Sequence, residues 1–291
     1  MEKIAIITDS CSDLKEEYRK ENNIFVLPIQ ISCDGKTYRD GIDISSKEIY
    51  QLQKEHMLKT SSPVGQELFS LLESLKVNGY SHVIGIFLSA GISGTSNQMR
   101  LFCQSQEDLV CHIIDSKSAS VGLGIIAIEL AHYCQKGVTF EQAISYGEKL
   151  VEENYAYFSI DDLGFLQKGG RIGKASAFLG TTLKIKPILS FEKENGEIYV
   201  PSKVRGILIA VYNANQYELL TEEFALSFAS RMILFLLSFL CTSNYLEERN
   251  ELEKMLKEKF PTFEYIIDGH VGAALSCYLG SGLLGVAIQF I

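Results

Sequence analysis

Two short segments rich in serine and threonine carry the side chains best suited to binding a ligand. They are residues 60–63 (Thr-Ser-Ser-Pro) and residues 89–95 (Ser-Ala-Gly-Ile-Ser-Gly-Thr). Proline fits the first position of a helix, and the second segment follows an apolar run typical of a strand, so both segments are predicted to begin helices. A helix start leaves backbone N–H groups unpaired, and its dipole favours an anion there. The hydroxyls of Thr60, Ser61 and Ser93 are therefore predicted to bind one small anionic head group.

Ser93 also allows a different interpretation, because a serine between glycines can be the nucleophile of a hydrolase. A nucleophile elbow needs glycine two residues after the serine, where this chain has Thr95. The five histidines show no triad order around Ser93, and a serine without a placed base is a weak nucleophile. A serine can also simply cap a helix at such a turn. A binding protein, a serine esterase or lipase that uses Ser93, and a sensor of another anionic metabolite all stay open at this point.

Three further features have both a chemical and a structural interpretation. Residues 169–174 resemble a phosphate-binding loop, but three residues instead of four separate the glycines, and no serine or threonine follows the lysine. Asp9 and Asp115 each end a predicted strand, which suits helix caps better than metal ligands. Arg171 and Arg205 lie in runs with little other charge, where an arginine either forms an ion pair or binds a ligand.

Composition excludes several classes of protein. The 291 residues carry a net charge of −9, which disfavours a nucleic-acid surface. Seven cysteines without a Cys-x-x-Cys pair suit reduced thiols in the cytoplasm better than a disulfide framework or a metal site. Residues 271–291 are uncharged but contain four glycines, and they are predicted to form a buried helix and strand. We therefore predict a cytoplasmic protein with no integral membrane segment, no metal and no nucleic-acid partner.

Strands and helices alternate along the first half of the chain. Apolar runs predict strands at residues 4–7, 24–32, 82–88 and 109–114. Strands that alternate with helices are typical of an α/β fold with a mostly parallel sheet flanked by helices. The turns that contain Asp9, Ser93 and Asp115 then gather at one edge of the sheet, where open α/β sheets bind ligands.

The second half changes pattern. Strands are predicted at residues 155–160, 184–191, 198–203, 232–241 and 263–267, with a helix after Arg205. We place a domain boundary at this change, which gives an N-terminal α/β domain (1–154) and a smaller C-terminal α/β domain (155–291).

Several short motifs, taken in order, resemble the DegV family over nearly the whole chain. The motifs are Thr-Asp-Ser at 8–10, Thr-Ser-Ser-Pro at 60–63, Leu-Ser-Ala-Gly-Ile-Ser-Gly-Thr at 88–95, Lys-Gly-Gly-Arg-Ile at 168–172 and Lys-Val-Arg at 203–205. The resemblance implies a two-domain α/β protein that binds one long-chain fatty acid between its domains. It also implies a carrier without catalytic residues or a cofactor, which presents the acid to a separate fatty-acid kinase for acyl-phosphate formation.

The resemblance assigns roles to particular residues. The family's carboxylate-binding positions correspond to Thr60 or Ser61 and to Ser93 with Gly94. Its two arginines correspond to Arg171 and Arg205, with roles at the head group and in the encounter with the kinase. Before its Leu-Gly-x-Gly turn the family has a histidine, where this chain has Tyr278. Tyrosine donates a hydrogen bond but carries no positive charge near neutral pH, so the head-group network is expected to differ here.

Overall fold

The computed structural model describes residues 2–63, 65–104, 106, 108–179, 187–201, 235–241, 245–259 and 264–291. The helix predicted after Arg205, and Arg205 itself, lie outside these residues. The strands are β1 (Ile4–Asp9), β2 (Ile24–Leu27), β3 (Gln30–Cys33), β4 (Lys36–Arg39), β5 (Lys59–Ser61), β6 (His82–Phe87), β7 (Val110–Asp115), β8 (Asn154–Ile160), β9 (Leu189–Phe191), β10 (Ile198–Tyr199), β11 (Phe235–Cys241), β12 (Glu264–His270) and β13 (Leu283–Phe290). The α-helices are α1 (Glu16–Glu21), α2 (Ser46–Leu52), α3 (Gly65–Val77), α4 (Thr95–Cys103), α5 (Val121–Gln135), α6 (Phe140–Glu152), α7 (Gly164–Lys168), α8 (Leu246–Lys259) and α9 (Ala273–Leu279).

A parallel sheet organises the first half, with strand order β2-β1-β6-β7. The central strands β1 and β6 are buried almost throughout, as expected for parallel strands covered on both faces by helices. The α/β architecture predicted from the alternating pattern is thereby confirmed.

The long apolar helix α5 packs between two sheets. Residues on all sides of α5 are buried, and the helix contacts β1 and β6 of the parallel sheet as well as β8 and β13 of a second sheet. A helix that is apolar all round must be enclosed in this way to remove its surface from water. The two sheets therefore share one hydrophobic core element.

A small antiparallel sheet, in the order β4-β3-β5, changes two of the predictions. The single strand predicted over 24–32 is two strands, because Pro28 and Ile29 turn the chain between β2 and β3. Thr60 and Ser61 lie on β5, where they pair with β3, and α3 is described from Gly65. The segment therefore precedes a helix that ends at Val77, as predicted, but Thr60 and Ser61 themselves belong to a strand and not to the helix start.

The second sheet is mixed, with the order β10-β9-β8-β13-β11-β12. Its strand β13 runs antiparallel to both β8 and β11 and is buried along nearly its whole length. The uncharged segment 271–291 thus forms α9 and a central strand, which confirms the predicted buried helix and strand. Across the described ranges, no helix combines the length and apolarity that a membrane span requires.

The chain enters this mixed sheet at Asn154, the first residue of β8. That position coincides with the change of pattern on which the domain boundary was based. The division into domains 1–154 and 155–291 stays a prediction.

Candidate functional site

A cavity of about 350 Å³ lies where the turn after β6 meets β5, α9 and the inner face of the second sheet. Six of the residues predicted to form a binding site line this cavity: Thr60, Ser61, Ser93, Gly94, Arg171 and Tyr278. Its size falls at the lower end of the range for small-molecule pockets, about 300–1,000 Å³. The structure therefore brings together residues that lie more than 200 positions apart in the sequence.

Tyr278 joins α9 to β5 at the polar part of the cavity. Its hydroxyl lies 2.8 Å from the Thr60 Oγ1 and accepts a hydrogen bond from the Thr60 backbone N–H at 3.3 Å. The Arg171 guanidinium stacks over the Tyr278 ring, with 5.1 Å between Cζ and the ring centroid. Tyr278 therefore connects the Thr60 hydroxyl on β5 with the Arg171 guanidinium.

Backbone carbonyl groups hold Arg171 in place. Its Nε donates to the Ile92 carbonyl at 3.3 Å, and its Nη1 donates to the Gly169 carbonyl at 2.5 Å. Among the cavity residues that the structure describes, Arg171 is the one cationic side chain, and none is a carboxylate. An anion is thus the charged ligand that this cavity favours.

Ser93 belongs to a chain of hydroxyl groups that links the two serine-rich segments. The Thr95 Oγ1 donates to the Ser62 Oγ at 3.2 Å and lies 2.9 Å from the Ser93 Oγ, which also accepts from the Thr95 N–H. In this arrangement the Thr95 hydrogen goes to Ser62, and the Ser93 hydroxyl turns toward Thr95. Because a hydroxyl rotates about its C–O bond, Ser93 can donate to a bound anion instead. Ser62 ends the chain at the cavity wall, and no acceptor among the described residues takes its hydrogen, so this hydrogen is available for a ligand.

This network includes two residues to which the sequence analysis gave no binding role. Ser62 lines the cavity, and Thr95 is fully buried and bonded to Ser93. Ser62 and Thr95 both lie inside the two hydroxyl-rich segments, which indicated a binding site. Their hydrogen bond joins positions 33 residues apart, so local patterns could not predict it. The described residues that line the cavity include no histidine, so Ser93 has no imidazole base there.

Apolar side chains form the rest of the cavity wall. They come from α9 and from the inner faces of β8, β9 and β13, and include Phe158, Phe191, Leu275, Leu279 and Val286. Burial of each methylene group against such a wall contributes about 0.8 kcal/mol. The wall therefore suits an alkyl chain, whereas the polar cluster suits its charged end.

Two carboxylates, the buried Asp9 and the partly buried Asp115, fix the elements that carry the site. Asp9 accepts from the Cys11 N–H at 2.9 Å and from the Leu88 N–H at 3.0 Å. Asp115 accepts from the Ala90 N–H at 2.9 Å, which holds the turn before Ser93. Both aspartates therefore cap backbone groups, in agreement with the structural interpretation of their positions.

The start of α9 is held in the same way by two other aspartates. Asp13 accepts from the Gly272 N–H at 3.0 Å and from the Ser120 hydroxyl, and Asp40 accepts from the Ala273 N–H at 2.9 Å. Burial raises the pKa of Asp9 to about 7, raises the pKa of Asp13 well above its usual range and raises the pKa of Asp40.

The glycine-rich segment 169–174 does not form a phosphate loop. Lys174 pairs with Glu192 at 2.7 Å, and residues from Gly173 onward form a short 3₁₀ helix. Gly169 has a different function, because a Cβ at this position would overlap the Tyr278 ring. Its glycine allows the Tyr278 ring to lie directly against the backbone.

We expect Gly169→Ala to weaken ligand binding about fivefold, since the added methyl group displaces Tyr278 and breaks a hydrogen bond worth about 1 kcal/mol. Displacement of a fluorescent analogue of a fatty acid, the ligand that the family resemblance implies, measures the change. Gly65→Ala is the matched control, because a Cβ at Gly65 meets no atom within 4 Å. Equal affinities of the two variants would show that the position of the Tyr278 ring is unimportant.

Similar proteins carry the DegV name. The family model described as "Uncharacterised protein, DegV family" matches residues 3–290. Protein DegV of Bacillus subtilis is 32% identical over 291 residues, which covers 99% of both proteins. A DegV domain-containing protein of Clostridium acetobutylicum is 38% identical over 206 residues, or 71% of this chain and 73% of that protein.

Solved structures with the same fold cover nearly the entire chain. DegV from Bacillus subtilis, described as a fatty acid binding protein, has a TM-score of 0.84 and 32% identity over 100% of both chains. A Thermus thermophilus DegV family protein, described by its fatty acid binding, has a TM-score of 0.86 and 26% identity over 99% of this chain and 100% of the other. Because the family match spans residues 3–290 and the Bacillus subtilis relative aligns over 99% of both proteins, this protein belongs to the DegV family.

Proposed function

We propose that this protein binds one long-chain fatty acid, with its carboxylate at the Thr60–Tyr278–Arg171 cluster and Ser93 and its alkyl chain in the apolar cavity. The observation that carries the proposal is a cavity in which Thr60, Tyr278 and Arg171 form a connected polar cluster beside an apolar wall. A carboxylate taken out of water needs charged or hydrogen-bonding partners, and an alkyl chain needs none. Relatives from Bacillus subtilis and Thermus thermophilus that are described as fatty-acid-binding support the same assignment.

We also infer that the protein is a cytoplasmic carrier that presents its fatty acid to a separate kinase, which phosphorylates the carboxylate. The family resemblance supports this role. So does the cavity, because the described residues that line it offer no carboxylate or histidine for acid–base catalysis. Arg205, the second arginine assigned to this encounter, lies outside the described residues.

Mass spectrometry of the purified, denatured protein tests the binding proposal directly. We expect close to one fatty acid per chain, and we expect delipidated protein to take up palmitate or oleate. A protein that is isolated empty, and that stays empty with both acids, would overturn the proposal. The kinase role is tested separately by adding a fatty-acid kinase and ATP to the loaded protein and measuring acyl phosphate.

Ser93→Ala is expected to weaken fatty-acid binding by about 10- to 150-fold, the equivalent of a charged hydrogen bond worth about 1.5–3 kcal/mol. Calorimetric titration of delipidated protein with oleate measures the change, and Ser70→Ala, on the exposed face of α3, is the control. Unchanged affinity would restrict Ser93 to a role in the turn. Ester hydrolysis that disappears in Ser93→Ala would instead favour the esterase alternative.

A further inference from the structure

A thiol, a carboxylate and an imidazole meet at the β3–β4 hairpin, and none of them lines the fatty-acid cavity. They belong to Cys33, Asp34 and His56, and one potential metal-ligating atom from each side chain lies within 4.8 Å of the other two. His56 Nδ1 and Asp34 Oδ2 are 2.7 Å apart. No local sequence pattern indicates this cluster, because 22 positions separate His56 from Asp34 and only the fold brings them together.

Regular backbone structure holds each of these three residues. Cys33 is the last residue of β3 and pairs with Lys36 of β4. Asp34 and Gly35 form the two-residue turn between them, with φ values of 48° and 75°, as a tight hairpin requires. His56 follows α2, and its N–H donates to the Leu52 carbonyl at 2.9 Å. The three donors are therefore largely positioned before any ligand arrives.

We propose that Cys33, Asp34 and His56 bind a divalent transition-metal ion of the Zn²⁺ type. A thiolate, an imidazole and a carboxylate are the ligands that Zn²⁺ prefers, whereas Ca²⁺ and Mg²⁺ prefer oxygen ligands alone. The thiolate and carboxylate together balance the charge of the ion, and the Cys33 proton passes to solvent. Water completes the tetrahedron, since the Asp34 side chain is 66% exposed.

The distances require little rearrangement. Bonds of about 2.0 Å to nitrogen and oxygen and about 2.3 Å to sulfur place tetrahedral ligands about 3.3–3.5 Å apart. All three donors already lie within 4.8 Å of one another. The Asp34–His56 contact must open by about 0.6 Å to reach that spacing, and exposed Asp34 can move that far without disturbing the core.

The proposed ion would brace the strand that carries Thr60. Ser32, next to Cys33 on β3, pairs with Lys59 of β5, and the neighbouring pair contains Thr60 itself. His56 lies in the segment that leads into β5, so a metal bond between β3 and His56 extends this pairing. The ion therefore has a structural role, outside the fatty-acid cavity.

Cobalt provides the most specific test, because Co²⁺ enters zinc sites and gives an absorption band when a thiolate binds it. Full-length protein is treated with a chelator, freed of the chelator and titrated with Co²⁺. We expect a thiolate-to-cobalt band that saturates at one equivalent and disappears when Zn²⁺ is added. His56→Gln should weaken Co²⁺ binding at least tenfold, while His132→Gln, an exposed histidine outside the cluster, should leave it unchanged.

Matched cysteine variants identify the thiolate. Cys33→Ser should abolish the absorption band, and Cys111→Ser, at a partly buried thiol on β7, should retain it. Circular dichroism confirms that each variant is folded, and His56→Gln tests the site without altering a buried residue. A band that persists in Cys33→Ser, equal Co²⁺ affinity of His56→Gln and the parent protein, or no band at all would overturn the proposal and leave His56 and Asp34 as a surface ion pair.

Discussion

Replacing Arg171 with glutamine is expected to weaken fatty-acid binding by about 30-fold or more. Loss of one partner from a desolvated, hydrogen-bonded charge pair costs about 2–5 kcal/mol, because the other charge stays buried without compensation. Arg171 is the cation of the described cavity lining, and its guanidinium is held by the Ile92 and Gly169 carbonyls. Titration of delipidated protein with oleate measures the loss.

Two further variants separate charge from packing at this position. Arg171→Lys keeps the positive charge but loses the stacked, planar guanidinium, so we expect affinity between that of the parent protein and that of Arg171→Gln. Arg39→Gln is the control, since Arg39 is an exposed arginine paired with Asp43 on the β4 side. If Arg171→Gln binds oleate within twofold of the parent, the carboxylate lies elsewhere and the proposed orientation of the fatty acid is wrong.

Local patterns predicted the parts of this site that depend on neighbouring residues. The turn before α4 follows from an apolar strand and a Gly-rich segment, and the structure places Ser93 and Gly94 there. Such local patterns do not predict which distant strands pair with each other. Thr60 and Ser61 lie on β5 because β3 supplies their hydrogen-bonding partners, so this segment forms a strand before α3 begins.

Local patterns also could not predict contacts between the two halves of the chain. The hydrogen bond between Thr60 and Tyr278 spans 218 residues, and the one between Gly272 and Asp13 spans 259. The family resemblance singled out Tyr278 by its position, but only the fold shows its hydroxyl against Thr60. The absence of charge in residues 271–291 predicted that this segment is buried. It did not predict that β13 lies between β8 and β11.

The second large effect concerns stability, which we expect to fall as the pH rises from 5 to 8. Burial raises the pKa of Asp9 to about 7, whereas an aspartate in the unfolded chain titrates near 3.8. Between these values the folded protein keeps a proton that the unfolded chain has released, so a rise in pH through this window favours unfolding. Asp9 alone contributes about 2–3 kcal/mol between pH 5 and pH 8. The raised pKa values of Asp13 and Asp40 act in the same direction.

Urea unfolding at a series of pH values measures this dependence, and Asp9→Asn isolates the contribution of Asp9. The Cys11 and Leu88 N–H groups donate to different oxygens of Asp9, and asparagine has only one oxygen, so this variant is less stable at every pH. The quantity to compare is therefore the slope of the unfolding free energy against pH. We expect a shallower slope between pH 5 and pH 8 in Asp9→Asn, whereas Asp43→Asn should keep the parent slope because the Arg39 guanidinium holds the pKa of Asp43 at about 2, below this range. Stability of the parent protein that rises from pH 5 to pH 8 would mean that the N–H donors around Asp9 stabilise its charged form more than burial destabilises it.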